Sequence, residues 1–253
     1  IYYGGGGGIY LGGGTVRNCL IARNRTTFNS PSAWGGGVNQ SGGTLLHCTV
    51  VGNQTPVEHL GGGMYRTAGT VTNCRVDHCW ATSRGGGVYM TGGTLRNCQI
   101  ITNECYDRTW NWGGGIYMSA GQVLDCVVSG NVTGETAGGG GHGYGGGIYL
   151  QGGLVRNSLV VSNLVYSTGY GADVISVYGG GIYMAGGAVE SVTVVTNQLQ
   201  RDFASTGVAE GAGIFRNAGT VTNTIVYDNR ATTNASVGGI YPSNNWINYH
   251  TDT

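Results

Sequence analysis

Acidic residues that could carry chemistry are few in this sequence, and they do not gather at one repeat position. The closest grouping of acidic and imidazole side chains, once the repeats are aligned, is Asp77, His78, Glu104 and Asp107. Enzymes that cleave polysaccharides with carboxylates need a spaced acid–base pair or an acidic calcium site. A solvated polar patch explains this grouping better than an active site does. We therefore predict no catalytic residue.

Motifs for nucleophiles, phosphates and metals are also missing. Gly-x-Ser-x-Gly does not occur, and the glycine runs do not lie between a strand and a helix, where a phosphate-binding loop belongs. The Cys-x-x-Cys spacing of many zinc sites is absent as well. The sequence predicts neither a cofactor nor a metal site.

The dominant feature is a repeat in which three glycines precede an apolar residue and, usually, a tyrosine. Sixteen residues after the third glycine, each of the first eight repeats has an asparagine, or Cys79 in one case, so the length varies only in the segment that follows. A repeat with one elastic segment is typical of a solenoid. The third glycine or its equivalent is Gly8, Gly37, Gly63, Gly87, Gly115, Gly147, Gly181, Gly213 and Gly239.

Apolar columns in the aligned repeats predict the fold. The residues after the triple glycine alternate between an apolar column and a tyrosine column, as the two faces of a strand do, and two further apolar columns begin with Val16 and Ile21. We expect an all-β, right-handed parallel β-helix (a solenoid) of about nine coils, each with three short strands and one variable-length loop. The coils occupy residues 1–241, and residues 242–253 form a C-terminal segment outside the repeat.

The asparagine column predicts a structural ladder inside the solenoid. Stacked side-chain amides at a bend can hydrogen-bond to one another and satisfy buried backbone groups. The predicted ladder consists of Asn24, Asn53, Asn103, Asn131, Asn163, Asn197 and Asn229.

Two groups of cysteines follow from the alignment. Five of them form one inward column of small core residues, which we expect to stay reduced: Cys19, Cys48, Cys74, Cys98 and Cys126. Cys79 replaces a ladder asparagine, and Cys105 lies two residues past Asn103 on the adjacent coil. This pair is the best candidate for a disulfide.

Aromatic residues predict a binding surface. The tyrosine column should face outward, and several aromatics lie in or at the end of the elastic loops. Flat aromatic faces stack on sugar rings or anchor a protein partner, although stacked tyrosines could also simply cover the glycine-rich backbone. The candidate contact residues are Trp34, Trp80, Trp110, Trp112, Tyr144 and Tyr178.

Composition excludes some partners. Twelve basic residues, all of them arginine, balance twelve acidic ones, so no basic face for nucleic acid is expected. No apolar run is long enough to span a membrane. The chain opens inside a coil, and the first coil is expected to pair with more chain, either of the same polypeptide or at the end of a neighbouring copy.

The combination of Gly-Gly-Gly-Ile-Tyr with Gly-Gly-Thr-Val-x-Asn-Cys-x-Ile-x-x-Asn, which Gly86 to Asn103 follows with Val88 for the isoleucine and Leu95 for the valine, resembles the repeats of bacterial surface β-helix proteins. These are passengers of the polymorphic outer-membrane protein and autotransporter-adhesin type. The resemblance implies an extracellular or cell-surface protein, not an enzyme, that serves as an adhesive or structural module and contacts a glycan or a protein surface. The alternative is a polysaccharide lyase or glycosidase of the tailspike kind.

Overall fold

The computed structural model describes residues 7–26, 34–56, 60–106, 110–135, 142–167, 176–201 and 208–233. Within these ranges the chain is all-β and forms a parallel β-helix without a helical segment, so this part of the prediction is confirmed. Each strand pairs in parallel with its equivalent on the next coil. None of the described segments is a helix that could cross a lipid bilayer.

Three sheets of eight strands each run the length of the solenoid. Sheet A consists of Ile9–Leu11, Val38–Gln40, Met64–Arg66, Val88–Met90, Ile116–Met118, Ile148–Leu150, Ile182–Met184 and Ile214–Arg216. Sheet B consists of Thr15–Arg17, Thr44–Leu46, Thr70–Thr72, Thr94–Arg96, Gln122–Leu124, Leu154–Arg156, Ala188–Glu190 and Thr220–Thr222. Sheet C consists of Leu20–Ala22, Thr49–Val51, Arg75–Asp77, Gln99–Ile101, Val127–Ser129, Leu159–Val161, Thr193–Val195 and Ile225–Tyr227.

Two further sheets lie where the sequence predicted only loops. Sheet D has seven strands, Gln54–Thr55, Trp80–Ala81, Glu104–Tyr106, Val132–Glu135, Leu164–Ser167, Gln198–Arg201 and Arg230–Thr233. Sheet E has four, Trp110–Trp112, His142–Tyr144, Val177–Tyr178 and Ala209–Glu210. Isolated bridges continue the line of sheet E toward the N-terminus through Arg84 to Leu60. The prediction of three strands per coil is therefore wrong.

The coil count also differs from the predicted nine. The eight strands of each long sheet define eight coils in the described residues. The ninth triple-glycine equivalent, at Gly239, lies outside those residues, as does the C-terminal segment 242–253. With strands about 4.8 Å apart, eight coils span roughly 34 Å.

Residues with positive φ form the bends around sheet C. Asn97 (φ 52°) and its equivalents separate sheets B and C, and Thr102 (φ 53°) and its equivalents separate sheet C from the ladder position. Asparagine and aspartate tolerate this left-handed conformation better than other non-glycine residues. This explains the polar column at the first bend, in which His47 (φ 52°) replaces the usual asparagine.

Glycine is required at the three positions of the triple glycine for two kinds of reason, as the fourth coil illustrates. Gly85 has φ +64°. A Cβ on Gly86 would lie 2.2 Å from the carbonyl oxygen of Glu104, and a Cβ on Gly87 would lie 2.8 Å from Nδ2 of Asn103. Glycine is thus required once for conformation and twice for close packing.

The seven asparagines form one continuous file except where Cys79 interrupts it. Oδ1 of Asn163 accepts hydrogen bonds from both the backbone N–H and Nδ2 of Asn131, each at 2.9 Å. Nδ2 of Asn163 in turn donates to Oδ1 of Asn197 at 2.9 Å and to the carbonyl oxygen of Val128 at 3.0 Å. Its side-chain amide therefore makes four hydrogen bonds while fully buried.

The cysteine column also forms a ladder, which the sequence did not reveal. The Cys48 N–H donates to Sγ of Cys74 at 3.3 Å, and each thiol donates to the carbonyl two residues before it, as Cys98 does to Arg96 at 3.1 Å. Ser158 continues the file, since its hydroxyl accepts from the Cys126 N–H at 3.1 Å. Burial raises the pKa of the Cys74 thiol to about 12.

The predicted disulfide between Cys79 and Cys105 is not formed. All seven cysteines lie in the described ranges, and none forms a disulfide with another. The register pairs Ala81 with Cys105, so Cys79 and Cys105 are displaced by one strand spacing and two residues. That offset puts their Cα atoms roughly 8 Å apart, beyond the reach of a disulfide of about 7 Å. Cys79 instead accepts a weak hydrogen bond from Asn53 Nδ2 at 3.9 Å.

A charged side chain lies in the core. Arg66 is fully buried in the inward column of sheet A, where the equivalent residues of the next two coils are Met90 and Met118. Its Nη2 donates to the carbonyl of Gly69 at 2.8 Å, whereas Nε and Nη1 have no hydrogen-bond partner among the described residues. Burial lowers the pKa of this guanidinium to about 10.

Candidate functional site

The outward column of sheet A carries a file of stacked aromatic rings. Tyr89 and Tyr117 are nearly parallel, with centroids 4.8 Å apart and an interplanar angle of 1°. Where the second coil has Asn39 in place of tyrosine, Trp34 fills the space and stacks on Tyr65 at 4.8 Å. The inner file consists of Trp34, Tyr65, Tyr89, Tyr117, Tyr149, Tyr183 and Phe215.

A second file from sheet E meets the first edge-on. Tyr144 and Tyr178 stack at 5.6 Å, and Trp112 lies 6.5 Å from Tyr144. Tyr144 contacts Tyr183 of the inner file at 5.0 Å and 80°, an edge-to-face geometry that aromatic quadrupoles favour. The two files together constitute the aromatic face of the molecule.

Arg84 joins the two files where the fourth coil lacks an aromatic residue at the sheet E position. Its guanidinium carbon lies 4.5 Å from the ring centroid of Trp112 and 5.5 Å from that of Tyr117. Such a cation–π contact stabilises by roughly 0.5–2 kcal/mol. This role of Arg84 was not predicted from the sequence, although Arg84 immediately precedes a triple glycine, in the same column as Trp112 and Tyr144.

The tyrosine column is less exposed than predicted because its rings cover one another. Tyr89 and Tyr117 are only 9% and 7% exposed. The accessible tip of the aromatic face is Trp110, which is 46% exposed and stacks on His142 at 4.6 Å. His142 was not among the predicted contact residues, and only its register with Trp110 brings it there.

Burial within the aromatic face raises the pKa of several of its phenol groups. Burial, together with neighbouring tyrosines, raises the pKa of both Tyr144 and Tyr149 to about 12. Burial also raises the pKa of Tyr117, and Arg84 partly opposes this rise because it favours the phenolate. The face therefore presents neutral hydroxyl groups at ordinary pH.

Trp80 lies apart from the other predicted contact residues. It belongs to sheet D, pairs with Glu104 in the register, and its ring contacts Tyr106 at 5.5 Å. The structure thus brings together Trp110, Trp112, Tyr144 and Tyr178, with Trp34 at one end of the inner file. It places Trp80 in a separate groove.

The acidic residues of the described ranges do not stack on one another. Asp77 accepts hydrogen bonds from Arg75 Nε at 2.9 Å and Nη2 at 2.6 Å, and its other oxygen lies 2.5 Å from His78 Nδ1. Asp125 pairs with Arg96 on the preceding coil at 3.3 Å. Asp107, the fourth member of the predicted grouping, lies outside the described residues.

Among the residues that the structure describes, no three of histidine, cysteine, aspartate and glutamate are grouped so that they could hold a metal ion. The arrangement that remains is the aromatic face, with the partly exposed Trp110 at its tip. No family model, curated protein or solved structure matches this chain.

Proposed function

We propose that this chain is a right-handed β-helix of an extracellular or cell-surface protein, where it serves as an adhesive or structural module. The aromatic face is its contact surface, and the partner is a glycan or a protein surface. The observation that carries the proposal is the exposed Trp110–His142 pair at the tip of a continuous aromatic array.

The array supplies a contact surface that needs little reorganisation. Trp112 and Tyr144 pack against both Trp110 and the inner file, so the exposed indole is held before a partner arrives. A side chain that is already ordered loses little conformational entropy on binding. Aromatic residues of this kind dominate the binding energy of many interfaces.

The test is a comparison of Trp110→Ala with Tyr227→Ala, which removes an exposed aromatic from sheet C (53% exposed). Labelled chain is applied to a glycan array and to surfaces coated with extracellular-matrix proteins. We expect Trp110→Ala to abolish a signal that Tyr227→Ala retains. Equal binding by the two variants would refute the role of the aromatic face.

The alternative is a polysaccharide lyase or glycosidase. Its most suitable residues are Glu104 and His78, which line the same groove. Incubation with acidic and neutral polysaccharides, followed by assays for new reducing ends and unsaturated uronates, tests this alternative. Activity that Glu104→Gln removes would replace our proposal.

Association of copies end to end is a further part of the proposal. Large apolar side chains are exposed at both terminal described coils, with Leu20 at 70% in the first and Ile225 at 60% in the last. Sedimentation velocity over a range of concentrations should reveal oligomers that Leu20→Ser weakens. A concentration-independent monomer would contradict self-association.

A further inference from the structure

A groove lies at the bend between sheets C and D, away from the aromatic face. Its volume is about 330 Å³, and its lining includes Gln54, His78, Trp80, Thr102, Glu104 and Tyr106. This volume falls at the lower end of the range for small-molecule sites, about 300–1,000 Å³.

Sheet D places three of these side chains in a row. The register aligns Gln54, Trp80 and Glu104, so an amide, an indole and a carboxylate stand side by side about 4.8 Å apart. Their inward neighbours Thr55, Ala81 and Cys105 are fully buried, which leaves the row on the outer face. Tyr106 closes one end, with its ring tilted by 49° against Trp80.

His78 adds an oriented acceptor. Its Nδ1 lies 2.5 Å from Asp77 Oδ1, and a carboxylate accepts but does not donate, so Nδ1 carries the proton. In the neutral ring Nε2 is then a hydrogen-bond acceptor. The His78 side chain is 65% exposed, whereas Asp77 is held by Arg75.

We infer that this groove binds a sugar ring of a hydroxyl-rich saccharide. The C–H face of such a ring packs on Trp80, and its hydroxyls donate to Glu104, to His78 Nε2 and to the side-chain oxygen of Gln54. An uncharged polyol uses all these acceptors at once, whereas a simple cation would use only the carboxylate and the rings. The site is distinct from the aromatic face and does not depend on it.

The experiment is a calorimetric titration of the whole chain with cellotetraose, chitotetraose and maltotetraose, and with choline as the cationic probe. We expect saturable binding of at least one saccharide. Trp80→Ala should weaken it roughly tenfold or more, as truncation of an aromatic anchor does. Glu104→Gln, an exposed and conservative change, should also weaken it. Tyr227→Ala, at an exposed aromatic residue that belongs neither to the groove nor to the aromatic face, is the matched control and should leave it unchanged.

Circular dichroism of each variant checks that the solenoid is intact. If Trp80→Ala does not fold, Glu104→Gln and His78→Ala test the inference in its place, because both change side chains that line the groove. Absence of binding by all three saccharides, binding of choline alone, or saccharide binding that the groove variants leave unchanged would overturn the inference. Loss of binding in Trp110→Ala alone would assign the saccharide to the aromatic face instead.

Discussion

The asparagine file and the third glycine of the repeat are in direct atomic contact, so each constrains the other. In the described coils that have a ladder asparagine, the third glycine lies directly against its amide, as Gly147 does against Asn163, where a Cβ would approach Nδ2 to 2.9 Å. The interval of sixteen residues between the third glycine and the ladder position is therefore constant because these two residues are in contact within one coil. In the third coil the ladder residue is Cys79, and its sulfur would lie 3.0 Å from a Cβ on Gly63, so the glycine is still required.

Asn163→Ala should destabilise the fold by about 1–3 kcal/mol. The substitution removes four hydrogen bonds and leaves the Asn131 N–H and the Val128 carbonyl without their partners. Urea unfolding followed by circular dichroism measures the change. Asn24→Ala is the control, because Asn24 lies at the partly buried first rung and, among the described residues, its side chain donates only to Asn53. Equal effects at both positions would contradict the ladder's contribution.

Arg66→Met should stabilise the protein by about 1 kcal/mol or more, because a buried charge without an ionic partner costs more than an apolar side chain of similar size. Methionine already occupies the equivalent position in the next two coils. Arg216→Met is the matched control, since Arg216 lies in the same column but is exposed. A loss of stability in Arg66→Met alone would show that the guanidinium has partners beyond its carbonyl contacts.

At the scale of elements, the regular columns were predictable and the irregular ones were not. Sheets A, B and C recur at fixed spacing with β-branched or apolar inward residues, so alignment alone identifies them. Sheets D and E lie on either side of the variable loop, and several of their strands are only two residues long, too short to show alternation. Their packing creates a second small core with Val165, Val177 and Leu199.

The short strands of sheets D and E also explain why the positions of the aromatic residues were only partly predictable from the sequence. The sequence identified the aromatic contact residues but did not separate Trp80 from the others, because Trp80 and Trp110 both lie in the variable segments between a ladder position and the next triple glycine. Trp80 lies in the sheet D strand Trp80–Ala81, whereas Trp110 lies in the sheet E strand Trp110–Trp112. The two indoles therefore belong to different sheets. Hydrogen bonding in the cysteine file was also hidden, since the sequence indicated only that these side chains are small and inward-facing.

Gly86→Ala should destabilise the fold by about 3 kcal/mol or more, or prevent folding. Its Cβ would meet backbone atoms of Glu104 and Gly114 at 2.2–2.4 Å, and backbone cannot move aside as a side chain can. Gly13→Ala is the matched control, because nothing lies within 4 Å of a Cβ there. Comparable expression and unfolding midpoints for the two variants would argue against close packing at the triple glycine.

The aromatic face should make the protein sensitive to alkali. The folded-state pKa of Tyr149 is raised from 10.0 to about 12, so its stabilisation is fully present below pH 10 and is lost as the pH rises toward 12. Tyr149→Phe keeps the ring and removes the titrating hydroxyl. Between about pH 8 and about pH 11 its urea midpoint should fall less than that of the unchanged protein. The urea midpoint of Tyr10→Phe, a change at an exposed ring, should fall as much as that of the unchanged protein.

At the scale of the whole molecule, the strand pairs and bridges among the described residues join each coil only to the coils next to it. All paired strands of sheets A, B and C join consecutive coils, and both the asparagine and the cysteine files pass from one coil to the next. Stability in such a solenoid is approximately a sum over coils and the interfaces between them. The molecule can therefore change length without a change of fold, and each surface site depends only on the coils that build it.

Removal of one complete coil should leave a shorter, folded solenoid. Deletion of residues 116–147 joins Gly115 to Ile148, which re-creates the local sequence Gly-Gly-Gly-Ile-Tyr. Val88 would then pair with Ile148, Asn103 with Asn163, and Cys98 with Ser158, all of which are column equivalents of the partners removed. Circular dichroism should retain the strand spectrum, and urea unfolding should stay cooperative with a lower midpoint, because one coil interface is lost.

The deletion also removes His142 and Tyr144 from the aromatic face but leaves the groove around Trp80 and Glu104 intact. Saccharide binding at the groove should therefore survive, whereas an unfolded product would show that the coils do not act as interchangeable units.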